Sequence, residues 1–198
     1  MRVDRKTQAA HRAAILHRAS ELFRRGGIER VGVADITRAA GLTHGAFYGH
    51  FPSKAALAAE ACQHSMNGMA ELWRNRAAEA RVRGQDPLGA VIDAYLSPAS
   101  RDMPEQGCAL SALGAETSRD PALRAAMASG VDALTQVLVE VLTGLHPKRK
   151  AAANAQAALA VMSAMSGGLL LARTLVADPE RSNAALAAAA GLARRAAE

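Results

Sequence analysis

Apolar residues recur along most of the chain at the spacing of α-helices, and the first segment shows this clearly. In residues 7–26 the apolar positions, with basic residues between them, are Ile15, Ala19, Leu22 and Phe23. This spacing places them on one face of an amphipathic helix, which the following Gly26-Gly27 would end. No run of alternating β-branched residues bounded by turns occurs, so no strand is predicted.

The same pattern, with its start and stop residues, predicts nine helices. Their ranges are 7–26, 33–40, 44–50, 54–83, 87–96, 108–118, 121–145, 148–176 and 179–197. Gly41 would end the second helix, while Thr43 and Ser53 would cap the third and fourth. Residues 97–106, which contain two prolines, are predicted to be a loop. We therefore predict an all-α fold with a three-helix N-terminal module, residues 1–54, and a larger helical body, residues 55–198.

Composition supports this fold class, and the distribution of charge separates the two parts. Much of the hydrophobic half of the chain is alanine, which favours helices and is poor in strands. Residues 1–54 hold ten Lys and Arg against four Asp and Glu, so they carry the chain's entire net charge of +6. A basic module of this kind attracts phosphate backbones or anionic membranes, and charge alone does not choose between them.

Three features of the sequence bear on the cellular location of the protein. The uncharged segment 151–172 is long enough to span a bilayer, but it is mostly alanine with Asn and Ser among its residues. A helix packed inside the protein or a dimer interface is therefore favoured over a membrane span. The two cysteines make no disulfide framework, and the N-terminus is polar, so we predict a cytoplasmic protein with no membrane partner.

Residues 33–51 have the physical requirements of a helix-turn-helix. Ile36 and Ala40 give the first helix a buried face, and Gly41 permits a left-handed turn. Leu42 would fill the angle between the helices. The inner side of the second helix would be anchored by Phe47 and Phe51.

Four residues would then face outward near the start of the second helix, namely Thr43, His44, Gly45 and Tyr48. That end of the second helix meets base edges in the major groove of DNA. For Thr43, base reading and helix capping are equally consistent with the sequence.

Two stretches in this region resemble the tetracycline-repressor (TetR) family of transcriptional regulators. They are Ile36-Thr37-Arg38-Ala39-Ala40-Gly41-Leu42 and Tyr48-Gly49-His50-Phe51-Pro52-Ser53-Lys54-Ala55-Ala56-Leu57. The resemblance covers about residues 10–60, and the later helices fit the family's variable body. This sequence departs from the family at Gly32 and Val33, where a hydroxyl cap is usual, and at Gly49.

The resemblance implies a ligand-responsive repressor that binds palindromic double-stranded operator DNA as a homodimer and is released by a small-molecule effector. The predicted DNA-binding residues are Thr37, Thr43, His44, Gly45, Tyr48, His50 and Lys54. The dimer would form through the small-residue faces of the last two helices. Candidates there are Ala157, Leu159, Ala160, Met162, Ser163, Gly167, Gly168, Leu186, Ala190 and Ala193.

The central helices would hold the effector pocket, for a small, largely apolar and preferably neutral molecule. The candidate lining residues, each of which could equally fill a core, are Met66, Met69, Trp73, Tyr95, Cys108, Leu110, Leu113, Glu116, Met127, Leu134 and Met165. Glu116 is the acid predicted to point inward. As an alternative, Cys108 at a helix N-terminus would sense oxidants or electrophiles, because the helix dipole raises thiolate content.

The sequence lacks the motifs of several enzyme classes. The sequence contains no His-Glu-x-x-His, no phosphate-binding glycine loop and no nucleophile elbow. We therefore predict no enzyme activity, no metal site and no cofactor. A membrane-surface protein or a sequence-blind nucleic-acid-binding protein is the remaining alternative.

Overall fold

The structure is a computed structural model that describes residues 4–198, and every regular element in that range is helical. The nine α-helices of this range are α1 (Arg5–Gly26), α2 (Val33–Ala39), α3 (Lys54–Val82), α4 (Pro87–Tyr95), α5 (Pro98–Asp102), α6 (Ala109–Thr117), α7 (Pro121–Leu145), α8 (Ala151–Thr174) and α9 (Pro179–Ala197). Two 3₁₀ helices, His44–Gly49 and Pro104–Gln106, complete the set. The predicted all-α fold with its N-terminal helix-turn-helix is confirmed.

The helix prediction was wrong in two places. The third predicted helix is the 3₁₀ helix His44–Gly49 and not an α-helix. It is short, and two of its residues are glycines, which disfavour the α conformation. The predicted loop at 97–106 contains α5 and the second 3₁₀ helix.

Four helices begin with the same local signature, a capping residue followed by proline. Proline suits the first helical position, because its missing N–H would have no partner there and its φ is already helical. In each case the preceding Asp or Ser side chain accepts a backbone N–H of the first turn. The four pairs are Asp86-Pro87, Ser97-Pro98, Asp120-Pro121 and Asp178-Pro179.

The apolar centre of the N-terminal module is continuous with the core of the body, and α3 contributes buried residues to both. Ile15, Phe23, Ile36, Phe47 and Phe51 are all buried there. A second contact ties α1 to α3, since the Arg12 guanidinium lies 4.6 Å from the centre of the Phe51 ring and 2.6 Å from the Glu60 carboxylate. The cation and the aromatic face attract each other, so α1, α3 and the module core are held together at one point.

The body is built on α3, which packs against α7, and on α8, which packs against α7 and α9. The predicted small-residue faces of the last two helices are divided between two environments. Several of these residues are buried inside the chain and hold α8 on α9, namely Met162, Gly168, Leu186, Ala190 and Ala193. Others face outward, namely Leu159, Ala160, Ser163 and Gly167.

Two helices, α7 and α8, are long and apolar enough to cross a membrane by length and composition alone. Both belong to the packed body. Leu134 and Leu138 of α7 and Val161 and Met165 of α8 are fully or almost fully buried in the common core. This packing explains part of their apolar composition; α8 also exposes Leu159, Leu170 and Leu171.

Gly168 permits the close approach of α8 and α9, because a Cβ at this position would overlap the Ala189 methyl group. We expect Gly168→Ala to lower the free energy of unfolding by about 1–3 kcal/mol through overpacking. Urea unfolding followed by circular dichroism measures this. The control is Gly68→Ala on the exposed side of α3, where a Cβ meets nothing within 4 Å; it should be neutral or stabilising by up to about 1 kcal/mol. Equal stability of the two variants would contradict the packing argument.

Candidate nucleic-acid interface and body cavity

The turn between α2 and the His44–Gly49 helix is set by backbone constraints. Gly41 adopts φ 71°, a left-handed conformation that costs a residue with a Cβ about 1 kcal/mol or more. At the other end of α2, Gly32 offers no capping side chain, and the Asp35 carboxylate accepts the Gly32 N–H at 3.2 Å instead. This contact satisfies the N–H of the N-cap residue, while no side chain at Gly32 accepts an N–H of the first turn as a hydroxyl would.

The His44–Gly49 helix is fixed on its inner side and open on its outer side. Phe47 is buried and stacks on Phe51 with ring centres 5.9 Å apart. Tyr48 is 63% exposed, and its ring meets the His44 ring edge-on at 5.7 Å. Thr43 is exposed, and its side chain makes no capping hydrogen bond. The hydroxyl of Thr43, the imidazole of His44 and the phenol of Tyr48 thus face one accessible surface.

At two glycines of this helix, Gly45 and Gly49, no side chain covers the backbone. A Cβ added at Gly45 or at Gly49 would meet nothing within 4 Å. Neither glycine is required by the packing of the chain, and neither has a positive φ. Their absence of side chains therefore affects what can approach the helix from outside.

One predicted DNA-binding residue does not lie on this surface. Thr37 is 1% exposed, and its hydroxyl donates to the backbone oxygens of Val33 and Ala34 at 3.1 and 3.2 Å. A threonine in mid-helix commonly bonds its own preceding turn in this way. Thr37 is consequently part of the α2 packing face and is left out of the interface.

Lys54 and His50 contact other parts of the N-terminal module. The Lys54 ammonium donates to the backbone oxygen of Glu29 at 3.0 Å, at the loop before α2. Because an ammonium has three donors, two remain for an anion. His50 meets the His11 ring edge-on at 6.2 Å. Burial lowers the pKa of His50, and His11 and Arg12 lower it further, so its neutral form is favoured.

The N-terminal module is joined to the body by polar contacts from α1 and from the loop that follows it. Arg24 of α1 donates through Nε to the backbone oxygen of Glu105 at 2.9 Å, and it also bonds Ser20 and Ser65. The carboxylate of Glu116 on α6 accepts the Ile28 N–H at 2.8 Å. The segment from Glu105 to Glu116 therefore contacts the module directly.

A cavity of about 360 Å³ opens in the body between α3, α4 and the α5 region. This volume lies toward the lower end of the range for small-molecule sites. It is lined by Met69, Leu72, Trp73, Arg76, Ala94, Tyr95, Ser97, Ala99, Ser100, Met103, Gln106, Cys108 and Leu169. Among these, the predicted pocket residues are Met69, Trp73, Tyr95 and Cys108.

The other predicted pocket residues lie elsewhere. Buried core positions are occupied by Met66, Leu113, Met127, Leu134 and Met165, while Leu110 is partly buried beside the core. Glu116 does not line the cavity, because its carboxylate is engaged with the loop after α1. Glu116, which the sequence predicted to point into the cavity, instead links the body to the N-terminal module.

Sequence reasoning missed most of the α5 side of the cavity, including Ser97, Ser100 and Met103, since this stretch was assigned to a loop. One local signal would have found α5. Ser97-Pro98 repeats the cap-and-proline signature that starts α4, α7 and α9. No local signal identifies Leu169 on α8, which reaches the cavity only through packing.

Both cysteines are buried, with Cys62 1% and Cys108 0% exposed. Burial raises the pKa of Cys62 to about 11, so its thiolate is scarce at neutral pH. The Cys108 sulfur lies 3.9 Å from the Met66 sulfur, deep in the body. Within residues 4–198, no group of three His, Cys, Asp or Glu side chains is arranged to hold a metal ion.

This geometry defines a basic helix-turn-helix module, exposed at the start of its second helix, on an all-helical body. Two family models match the chain. "Bacterial regulatory proteins, tetR family" matches residues 15–61, and "Transcriptional regulator LmrA/YxaF-like, C-terminal domain" matches residues 86–191. The chain belongs to the TetR family and is a DNA-binding transcriptional regulator.

Solved structures show the same fold over nearly the whole chain. A TetR-family regulator from Cytophaga hutchinsonii is 17% identical, with a TM-score of 0.75 and 98% of each chain covered. The reduced form of E. coli NemR is 20% identical, with a TM-score of 0.74 and 92% of this chain and 97% of that chain covered. A TetR-family regulator from Streptomyces coelicolor is 25% identical, with a TM-score of 0.66 and coverage of 96% and 97%. Comparison with curated proteins finds no match.

The burial of both thiols predicts that they react slowly in the folded protein. We expect Ellman's reagent at neutral pH to leave both Cys62 and Cys108 unmodified on the time scale of minutes, and to modify both in concentrated urea. Absorbance of the released thionitrobenzoate measures the count. Rapid modification of one thiol that is lost in Cys108→Ser, and retained in Cys62→Ser, would contradict this expectation for Cys108.

Proposed function

We propose that this protein is a ligand-responsive repressor that binds a palindromic operator as a homodimer and leaves it when a small molecule occupies the body cavity. The observation that carries the DNA-binding part is the exposed set Thr43, His44 and Tyr48, on a helix whose inner side is anchored by Phe47 and Phe51. This arrangement matches a recognition helix that enters the major groove. Since operator DNA lies in the bacterial cytoplasm, we propose that the protein acts there.

The side chains of the interface divide by chemistry. Thr43 and His44 stand at the N-terminal end of the helix, where a hydroxyl and an imidazole donate to or accept from base edges. Gly45 lets the backbone come near the groove. Tyr48, His50 and Lys54 are assigned to the DNA backbone, where N–H and O–H donors bond phosphate oxygens and set the register of the protein.

The outer face of α8 and α9 is the proposed dimer interface. Large apolar side chains are exposed there at Leu159, Leu170, Leu171 and Leu192, with exposed fractions of 54%, 56%, 57% and 51%. Ala160, Ser163 and Gly167 lie exposed on α8 as well, and such small residues allow two helices to approach closely. Exposed apolar patches of this kind mark interaction sites, and a two-fold dimer presents two recognition helices to a palindrome.

Effector control is supported by the position of the cavity relative to the module. The α5 side of the cavity includes Met103, Gln106 and Cys108. Between these residues lies Glu105, whose backbone oxygen receives the Arg24 guanidinium of α1. A molecule that displaces this wall therefore acts on a segment bonded to the DNA-binding module, which gives the ligand a physical means to favour one position of the module.

Thiol sensing through Cys108 is a second candidate function. One observation favours it, because Cys108 lines the cavity and stands at the start of α6. This candidate requires that a small electrophile in the cavity reach the buried Cys108 sulfur. Treatment of operator complexes with such an electrophile should release DNA from the wild type and not from Cys108→Ser if this candidate is correct; equal release from both would exclude it.

Operator recognition is tested with DNA from upstream of the protein's own gene, in the presence of excess competitor DNA. We expect specific binding by the wild type and a loss of about tenfold or more in Gly45→Ala, because the added methyl group points into open space on the DNA side. Fluorescence anisotropy measures the Kd. Gly68→Ala on the far helix α3 is the matched control and should bind as the wild type does. Sequence-blind binding, or wild-type affinity in Gly45→Ala, would count against this interface.

The phosphate role of Lys54 makes a separate prediction. We expect Lys54→Ala to weaken binding to specific and non-specific DNA alike and to reduce the slope of log K against log salt by about one. His44→Ala should instead alter which sequences are bound while leaving the slope unchanged. Titrations at several salt concentrations measure both. An unchanged slope in Lys54→Ala would show that the lysine only holds the Glu29 carbonyl.

A further inference from the structure

The inner end of the body cavity is polar, in contrast to its apolar wall. The wall is formed by Met69, Leu72, Trp73 and Leu169. The Tyr95 side chain also lines the cavity and is 3% exposed. Its hydroxyl lies near the Ser166, Ser111 and Cys108 side chains, but within residues 4–198 no group has the geometry of a hydrogen bond to it. The Ser166 hydroxyl is buried without a partner in the same range. A buried hydroxyl without a partner costs about 1–3 kcal/mol, so a ligand group that bonds it gains that much.

A cation lies directly behind this end. Arg173 of α8 donates to the Ser100 backbone oxygen at 2.8 Å and to the Ser111 hydroxyl at 3.2 Å, while its Nε has no partner. No carboxylate in residues 4–198 lies within 4.0 Å of this guanidinium, so it has no ion-pair partner there. Burial lowers the pKa of Arg173, which is the direction expected for a charge without full compensation.

The lining of the cavity adds no negative charge to this end. It contains no Asp or Glu, and its one charged residue, Arg76, is exposed at the mouth. Cys108, also in the lining, occupies the N-cap position of α6, where no side chain caps the first backbone N–H groups. A helix N-terminus carries a partial positive charge. The Tyr95 hydroxyl and the α6 N-terminus therefore favour an acceptor at this end, and Arg173 favours an anion there. The Glu105 carboxylate, which also acts on Arg173, lies outside the lining.

We propose that the cavity takes a small amphipathic carboxylic acid, with its apolar body against Trp73 and its carboxylate at the Tyr95 end, in the field of Arg173. The proposal rests on the effector-binding part of the proposed function and specifies its ligand class. It replaces the neutral ligand expected from the sequence. The Tyr95 hydroxyl donates directly to the carboxylate, and such charge-assisted hydrogen bonds are about twice as strong as neutral ones.

Trp73 supplies a direct readout, because it is the only tryptophan of the chain and it lines the cavity. The probes are phenylbutyrate, its primary amide and the corresponding amine, which share one apolar body. We expect phenylbutyrate to change Trp73 fluorescence saturably, with a Kd about tenfold or more below that of the amide. Equal affinity for the three probes, or no saturable change with phenylbutyrate, would overturn the proposal.

Variants locate the carboxylate. Tyr95→Phe should weaken phenylbutyrate binding several-fold and leave the amide's Kd less changed, and Arg173→Met should remove the preference for the acid while Arg173→Lys keeps it. Arg76→Met is the matched control at the mouth and should keep the preference. If circular dichroism shows that Arg173→Met does not fold, the Kd of Tyr95→Phe for phenylbutyrate decides whether the carboxylate lies at the inner end. Loss of the preference in Arg76→Met alone, or an unchanged Kd in Tyr95→Phe, would contradict the placement at the inner end.

Operator release separates this proposal from the function on which it rests. Phenylbutyrate that binds at Trp73 but does not release operator DNA would support the ligand class and contradict effector control. Release of DNA by the amide as readily as by the acid would support effector control and overturn the ligand class. The expected result is release by the acid at concentrations near its Kd, and no release at those concentrations by the amide.

Discussion

The stacked pair Phe47 and Phe51 is the contact on which the exposed face of the N-terminal module depends. Each ring is almost completely buried, and burial of such a side chain contributes about 1.5–3 kcal/mol. The helix that carries them is short and rich in glycine, so its own propensity does not hold it in place. Because the two rings fix its inner side, the residues between and before them are turned outward. The surface offered to DNA is thus a consequence of the core.

The second constraint is the joint between the module and the body. Arg24 reaches from α1 to the backbone oxygen of Glu105, and Glu116 reaches from α6 to the Ile28 N–H. The Arg24 contact falls on the segment that forms one wall of the cavity, and the Glu116 contact falls on α6, which follows that segment. These are hydrogen bonds to charged groups, which contribute about 1.5–3 kcal/mol each. This is the size of free energy that typical coupling between two sites requires.

The cavity shows how packing creates chemistry that no single segment contains. Trp73 comes from α3, Tyr95 from α4 and Cys108 from the start of α6, while Arg173 of α8 stands behind them. None of these residues is unusual in its local sequence. Their convergence produces a donor-rich, positively charged end on an otherwise apolar space. The inward acid expected at Glu116 is absent from it because that carboxylate bonds the loop after α1.

The sequence by itself determined most of the helices, the class of the N-terminal module and its charge. These depend on spacing, caps and glycine positions within a few residues, such as Gly41 at a left-handed turn and Phe47 and Phe51 at a helical interval. It did not determine that Thr37 turns inward, that α5 exists beyond Ser97, or which half of the α8 and α9 small-residue faces is exposed. These features depend on contacts between segments distant in sequence, because burial and the pairing of polar groups are decided only when those segments pack.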